Sequence, residues 1–327
     1  VTFIFYRYLP LEEMGQFQWA LTIVVLIALV SALGFNEALV QFQDAGEDHF
    51  STAFWASLAL GGVLTGIAIL SAPVVSQWAE DPAAFKDALV PLAWLIPFAS
   101  VSGVVRAKLA RDLRFREIAL SEILAVLAAS AVGLAALWAG KGIWSPILNA
   151  VSREAVMLAG LWWASSWRPR LRFQMSSLKA LLPFGLNVTG ANGLNYVTNN
   201  LDKLFIFYFL GDRALGAYAF AYRFTMMPLA RGAMIITRVS FPAFSKIQDD
   251  NSMLKRGYLK SVEGIALLSW PALMGLLLYA PEVLAWVKGE EMMAALDALR
   301  LLILAGALKT IGTVVGSIFL AKGKANW

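Results

Sequence analysis

The sequence predicts an all-α polytopic membrane protein, and three observations carry that prediction. Its 327 residues are 59% apolar and only 15% charged, with a mean hydropathy of +0.66, whereas a soluble domain carries about 45–50% and about 25%. The apolar residues come in runs of the length that crosses a bilayer, about 20 residues each. The basic residues concentrate in alternate connections between those runs. Such a composition excludes a disordered, collagen-like or coiled-coil chain. With no cysteine and one histidine, His49, it also excludes a disulfide scaffold, thiolate metal sites and thiol nucleophiles, and leaves little for histidine catalysis. No cofactor is expected. The net charge of +5 reads as basic cytoplasmic loops rather than a nucleic-acid surface.

About ten helical segments follow in order. Residues 1–7 are the tail of a first helix too short to span. After Leu9-Pro10 helices are expected over 13–40 and 51–78, then over 84–107 with kinks at Pro91 and Pro97, then over 115–139 and 143–165. A basic, half-apolar connector covers 167–180. Helices at 181–210, 214–244, 257–279 and 293–321 complete the chain. The division expected is an N-terminal lobe, residues 1–166, and a C-terminal lobe, residues 167–327. Val1 inside an apolar run and Trp327 after a short basic loop read as the ends of a fragment, with helix 1 truncated and the last helices missing. The connections are short and leave no room for a soluble catalytic domain.

Charge fixes the orientation. One set of alternate loops holds Arg106, Lys108, Arg111, Arg114, Arg116, Arg168, Arg170, Arg172, Lys179, Lys246, Lys255, Arg256, Lys260, Lys322 and Lys324; the other holds Arg7, Lys86, Lys141, Arg213 and Lys288. The richer set is cytoplasmic. Loop 41–50 dissents, with Asp44, Glu47 and Asp48 and no base, but acids weigh little in orientation.

The chain also repeats itself. Phe3-Ile-Phe-Tyr6 recurs as Phe205-Ile-Phe-Tyr208, and Leu9, Gly15, Phe17 and Ala20 match Leu210, Gly216, Tyr218 and Ala221 at a spacing of 201. Six helices separate the copies. An even number keeps both copies in one orientation, so the axis relating them lies along the membrane normal.

Candidate functional residues are polar groups where lipid forbids them. Arg153, Lys203, Arg223, Arg231, Arg238, Arg300 and Lys309 lie within spans and must face protein or a water-filled cavity; for Arg300 and Lys309 snorkelling or a structural ion pair suffices. Asn192, Asn195, Asn199 and Asp202 fall at i, i+3, i+7 and i+10, one face of a helix, flanked by Tyr196 and Lys203. Amides offer donor and acceptor to sugar hydroxyls, and a ring offers an apolar face. The following helix adds Tyr222, Arg223, Pro228 and Arg231. A guanidinium fork matches phosphate oxygens, so a basic lumen suits a pyrophosphate-linked substrate. Glu37 and Arg238 match at the repeat spacing and are expected to pair as a cytoplasmic gate. Asn187-Val-Thr189 lies within a span, which makes it an empty glycosylation match, and Asp249-Asp250 reads as solvated.

Several runs resemble the Wzx-type polysaccharide flippases. They are Asn200-Leu-Asp-Lys203, Phe209-Leu-Gly-Asp-Arg-Ala-Leu-Gly216, Tyr218-Ala-Phe-Ala-Tyr-Arg223 and the stretch from Arg238 to Asp250. Ala38-Leu-Val-Gln41, Ser51-Thr-Ala-Phe-Trp55 and Leu113-Arg-Phe-Arg116 look similar to the branch exporting colanic-acid-like or teichuronic-acid-like polymers. The resemblance implies two six-helix lobes around a central cavity that opens alternately to each side of the bacterial cytoplasmic (inner) membrane. It implies an undecaprenyl-pyrophosphate-linked oligosaccharide as cargo and membrane lipids as surroundings, with a polysaccharide polymerase and assembly proteins as partners and no nucleic acid. Within the same superfamily a multidrug exporter is the alternative, disfavoured because cationic drugs call for acidic spans. A polytopic enzyme of polysaccharide assembly is disfavoured by the short loops and the single histidine.

Overall fold

The computed structural model describes residues 1–247, 250–316 and 318, with backbone alone at ten positions within 231–246. Among these residues every regular element is helical. The chain divides into two compact units, Val1–Gly216 and Ala217–Trp327.

In the first unit α1 (Thr2–Tyr8) leads through Leu9-Pro10 into α2 (Leu11–Ser31) and α3 (Phe35–Gln41). The expected helix at 13–40 is split because Leu33 and Gly34 adopt left-handed backbone (φ 49° and 58°). Gly34 there touches the backbone of Gly185 so closely that neither position has room for a side chain. Helix α4 (Glu47–Val75) has two unlike faces. Ser57, Gly61, Thr65, Ala68 and Ala72 are buried, while Val63, Ile67, Leu70 and Val74 are exposed, Leu70 by 80%. Large aliphatic side chains outward and small ones inward suit a helix whose outer solvent is lipid.

The helix expected at 84–107 is two, α5 (Pro82–Leu92) and α6 (Leu95–Arg111). Proline removes one helical hydrogen bond and clashes with the carbonyl four residues back. For Pro97 that residue is Ala93, where the chain breaks. Helices α7 (Phe115–Trp138) and α8 (Trp144–Ala164) form an antiparallel hairpin. Its seam on α7 is Ser121, Ala125, Ala129, Gly133 and Ala136, all lining the buried side. Asn149 of α8 donates to the Ala129 carbonyl (2.8 Å), as interhelical amides do in membranes. An irregular connector, 165–174, then leads to α9 (Met175–Thr198) and α10 (Leu201–Lys246). Helix α10 is itself broken at Gly211 (φ 79°, ψ −175°), a conformation open to glycine alone.

The repeat becomes physical at this break. At a spacing of 201, Leu11, Glu12 and Gly15 correspond to Asp212, Arg213 and Gly216. Gly15 lies against the Asp212 backbone, and Gly216 against the Leu11 carbonyl, each with no room for a Cβ. Between them Glu12 meets Arg213 at 3.6 Å. Contact i–j accompanied by j–i is what a local twofold axis produces. Gln16 donates to the buried Asp212 carboxylate (3.0 Å), which holds the turn.

In the second unit the rest of α10 joins α11 (Asn251–Leu278), α12 (Ala280–Lys288) and α13 (Leu296–Gly312). Asp250 caps α11, its Oδ1 accepting from Ser252 N–H (2.8 Å) and Met253 N–H (3.0 Å). These bonds, Met253 first, hold its carboxyl below the usual range. Tyr258 of α11 donates to the Ile311 carbonyl (2.9 Å), and Gly306 of α13 packs on Thr225 of α10.

Candidate functional site

Among the described residues six helical stretches are long and apolar enough to cross a membrane, which makes this a multi-pass membrane protein. They are Leu11–Gln41, Glu47–Trp78, Pro82–Arg111, Phe115–Trp138, Leu201–Ala230 and Asn251–Leu278. Helices α8 and α9 have 21 and 24 residues, enough to span, yet they are not among the six. Both carry residues the sequence singles out, Arg153 on α8 and the amide stripe on α9.

On α8, Arg153 and Glu154 border a cavity of about 230 Å³ with Arg106 of α6, Glu122 of α7 and Asn36 of α3. Arg106 forms an ion pair with Glu122. The sequence places Arg106 in a loop, but α6 continues to Arg111 and carries it into this cavity. Gly103 makes the room: a side chain there would overlap the Asn36 amide. The Asn36 Oδ1 is buried without a hydrogen-bond partner, an acceptor that only water or a donor in the cavity satisfies. Two bases and two acids cancel in formal charge, so the cavity suits a hydrated polar group better than an isolated phosphate. Asn36, Arg106 and Glu122 were missed because they come from separate helices. Glu122, a lone acid in the apolar run of α7, was the available signal.

The amide stripe lies at the end of α9. Asn192, Asn195 and Asn199 are exposed. The continuous helix expected over 181–210 is corrected: α9 ends at Thr198 and α10 begins at Leu201. Asn199 donates to the Asn195 carbonyl (2.8 Å) and side chain (2.7 Å), and Asn200 donates to the Tyr196 carbonyl (2.8 Å). Asn199 N–H still bonds the Asn195 carbonyl (3.0 Å), but Asn200 N–H turns to the Val197 carbonyl (3.1 Å) and its side-chain amide takes the Tyr196 carbonyl that a continuing helix would use. Asp202 consequently starts α10, its Oδ1 accepting from Lys203 N–H (2.8 Å), and Lys203 Nζ donates to Asn200 (2.6 Å). Tyr196 does not join the exposed face; its hydroxyl donates to the Thr22 carbonyl (3.0 Å) and ties α9 to α2. Below it Trp19 stacks on Phe207, with ring centroids 4.6 Å apart.

Arg223 is exposed on α10, and Tyr222 lies beside Tyr218 (ring centroids 6.1 Å). The side chains of Arg231 and Arg238 lie outside the described residues. Glu37 is exposed in the first turn of α3. Arg300 approaches Asp297 at 3.9 Å, an ion pair of the kind the sequence allows. His49 Nδ1 accepts from the Gly46 N–H (3.3 Å) at the start of α4. Among the described residues no group of three histidine or carboxylate side chains is placed to hold a metal.

Residues 4–296 match the profile of a family described as polysaccharide biosynthesis protein. The chain is 29% identical over 98% of its length to the lipopolysaccharide biosynthesis protein WzxC of Escherichia coli (strain K12), of which it covers 65%. It is 27% identical over 93% of its length to the succinoglycan biosynthesis transport protein ExoT of Rhizobium meliloti (strain 1021), of which it covers 61%. It therefore spans less than two thirds of the length of these relatives. Among solved structures it resembles the lipid II flippase MurJ in an inward closed conformation (TM-score 0.74, 12% identity, 98% of this chain, 72% of that one). It also resembles an inward-facing multidrug resistance MATE transporter (TM-score 0.70, 18% identity, 99% of this chain, 80% of that one). Likeness at such identities establishes the fold alone, an all-α architecture shared with these two structures.

Proposed function

The chain belongs to the polysaccharide biosynthesis protein family, and from that premise we propose that the whole protein is a flippase rather than an enzyme. It moves undecaprenyl-pyrophosphate-linked oligosaccharide from the cytoplasmic to the outer leaflet of the bacterial inner membrane by alternating access. The observation that carries this reading is the row of exposed amides Asn192, Asn195 and Asn199 on α9, together with the charged cavity that Arg153 of α8 borders, in an otherwise apolar bundle. A flippase needs a wet route for the sugar beside a lipid route for the polyprenyl tail. The exposed amides Asn192, Asn195 and Asn199 suit sugar hydroxyls. Arg153, Arg223 and Arg231, with Asp202, Lys203 and Tyr222, are the further lumen residues: Arg223 and Arg231 serve the pyrophosphate, and Arg153, its charge balanced in its cavity, serves the hydrated sugar.

In this reading residues 1–166 and 167–327 belong to two lobes, and Glu37 and Arg238 pair when the cytoplasmic end closes. A polymerase and assembly proteins receive the product. The test is transport by the full-length protein in vesicles with a fluorescent polyprenyl-pyrophosphate oligosaccharide. Outer-leaflet appearance that Arg153→Ala and Arg223→Ala each reduce at least tenfold, with folding intact, supports the proposal. The MATE likeness gives a second reading, a multidrug exporter; efflux of a cationic dye without lipid-linked sugar transport would favour it.

A further inference from the structure

Two connections of the first unit share a construction that the transport reading does not use. Between α6 and α7 the chain turns at Leu113, in left-handed backbone (φ 58°). Leu113 N–H donates to the Ala110 carbonyl (3.1 Å) and Arg114 N–H to the Leu109 carbonyl (2.9 Å). This is the helix-ending pair of bonds in which glycine usually occupies the left-handed position. A leucine there is strained, and its side chain is 76% exposed. In the connector, Arg172 N–H donates to the Arg170 carbonyl (2.7 Å), a three-residue turn. Its tip is Leu171, 93% exposed. Each apolar tip is flanked by arginines, Arg111 and Arg114 in one case, Arg170 and Arg172 in the other, and is followed by an exposed ring, Phe115 or Phe173.

Both tips are held rigidly by one support. Arg170 N–H donates to Ser51 Oγ (3.1 Å), Gln174 N–H to Thr52 Oγ1 (3.1 Å), and Trp55 to the Arg170 carbonyl (2.8 Å). The connector is thereby strapped to the start of α4. The Phe50 ring lies 5.9 Å from Trp167 of the connector and under Lys108 and Arg111 of α6, at 5.5 and 5.9 Å. The acidic loop 41–50 serves the same assembly. Arg111 donates to the Gln43 and Ala45 carbonyls, and Asp48 accepts from Gln174 (2.8 Å) and meets Arg172 (3.5 Å). Glu117 takes Arg114 at 2.9 Å. Arg170 and Lys179 remain exposed, with no ion pair among the described residues.

We propose that this face of the first unit docks on anionic phospholipid: Leu113 and Leu171 enter the membrane interface as paired apolar tips, and Arg170 and Lys179 bind the headgroup phosphates. A strained leucine where glycine fits without cost is accounted for when its side chain is buried in acyl chains, since backbone strain persists where function uses it. Basic groups beside apolar insertions are the chemistry of an anionic lipid surface. The inference is independent of the cargo, because its readout is lipid.

The experiment uses the full-length protein in a cysteine-free background, which this stretch already provides. Nitroxides are placed at Leu113→Cys and Leu171→Cys in vesicles of phosphatidylcholine with and without phosphatidylglycerol. The expected result is access to oxygen with shielding from aqueous nickel at both tips when phosphatidylglycerol is present. In native mass spectrometry, Arg170→Gln and Lys179→Gln are each expected to reduce phosphatidylglycerol binding roughly fivefold, the weight of one basic side chain at an anionic surface. Leu113→Gly is expected to bind less phosphatidylglycerol while melting no lower than the parent protein. Nickel-accessible tips in phosphatidylglycerol vesicles, equal binding of both lipids, or shielding that requires added polyprenyl pyrophosphate would each overturn the proposal.

Discussion

Helices α4 and α9 both turn a long exposed face outward, and the two faces have opposite chemistry. On α4 the exposed positions are Val63, Ile67, Leu70 and Val74; on one side of α9 they are Asn192, Asn195 and Asn199, with exposed Leu194 on another side. Exposure alone does not separate them, because in a membrane protein an exposed atom meets either lipid or water. Side-chain chemistry decides which. Aliphatic groups lose nothing in lipid, whereas an amide without a partner there costs several kcal/mol. We propose that the α4 face is lipid-contacting and that the amide side of α9 borders water or another polar surface.

Five variants sharpen or break this comparison. The largest effect is expected from Val63→Arg, which puts a charge in lipid at about 2.5–3.5 kcal/mol near the span centre; folded yield in membranes should collapse. Asn195→Arg on α9 should leave the yield near normal, and equal losses would break the comparison. Next, Gly216→Val should cost about 1–3 kcal/mol or more, as overpacking does, because the Leu11 carbonyl occupies the space. Gly193→Ala, with nothing within 4 Å of the new methyl, should instead stabilise α9 by about 0.5–1 kcal/mol. Thermal melts of the two variants in detergent test this. Replacing Asn192, Asn195 and Asn199 together with leucine should change stability by less than about 1 kcal/mol while abolishing transport; a large loss of folding would make the stripe structural.

The smallest effect lies outside the membrane. Asp250→Ala should fray the first turn of α11, and Asp250→Asn should preserve it, measured by amide exchange at Ser252 and Met253. Because the folded carboxyl titrates below its ordinary range, the cap's contribution is present above the unfolded value. It is lost as pH falls through the folded one. Protection of those amides that persists well below the carboxylate range would contradict the assignment.

Much of this architecture was legible in the sequence, for identifiable reasons. The all-helical class and the order of the helices follow from apolar runs, which lipid enforces more strictly than a soluble core does. The outer turn was legible as well, since Gly15 and Gly216 match at the repeat spacing. Local breaks were harder. The interruption at Ala93 follows from Pro97, four residues on, but that at Leu33 depends on the approach of Gly185, which no nearby residue announces. The end of α9 was hidden because the stripe has helical spacing, and only the bonds from Asn199 and Asn200 to the preceding turn reveal it. The charged cavity was the least legible. Arg153 was conspicuous, whereas Asn36, Arg106 and Glu122 reach it from three other helices through tertiary packing alone.

The central claim is that polar α9 and apolar α4 face different solvents. It is tested most directly by single cysteines at positions 67, 70 and 74 of α4 and 192, 195 and 199 of α9, in the full-length protein in intact membranes. A charged, membrane-impermeant maleimide is applied from each side in turn. The account predicts rapid labelling at 192, 195 and 199 from at least one side, and none at 67, 70 and 74 from either. Labelling of α4 at rates matching α9, or protection of all three α9 positions from both sides, would contradict it.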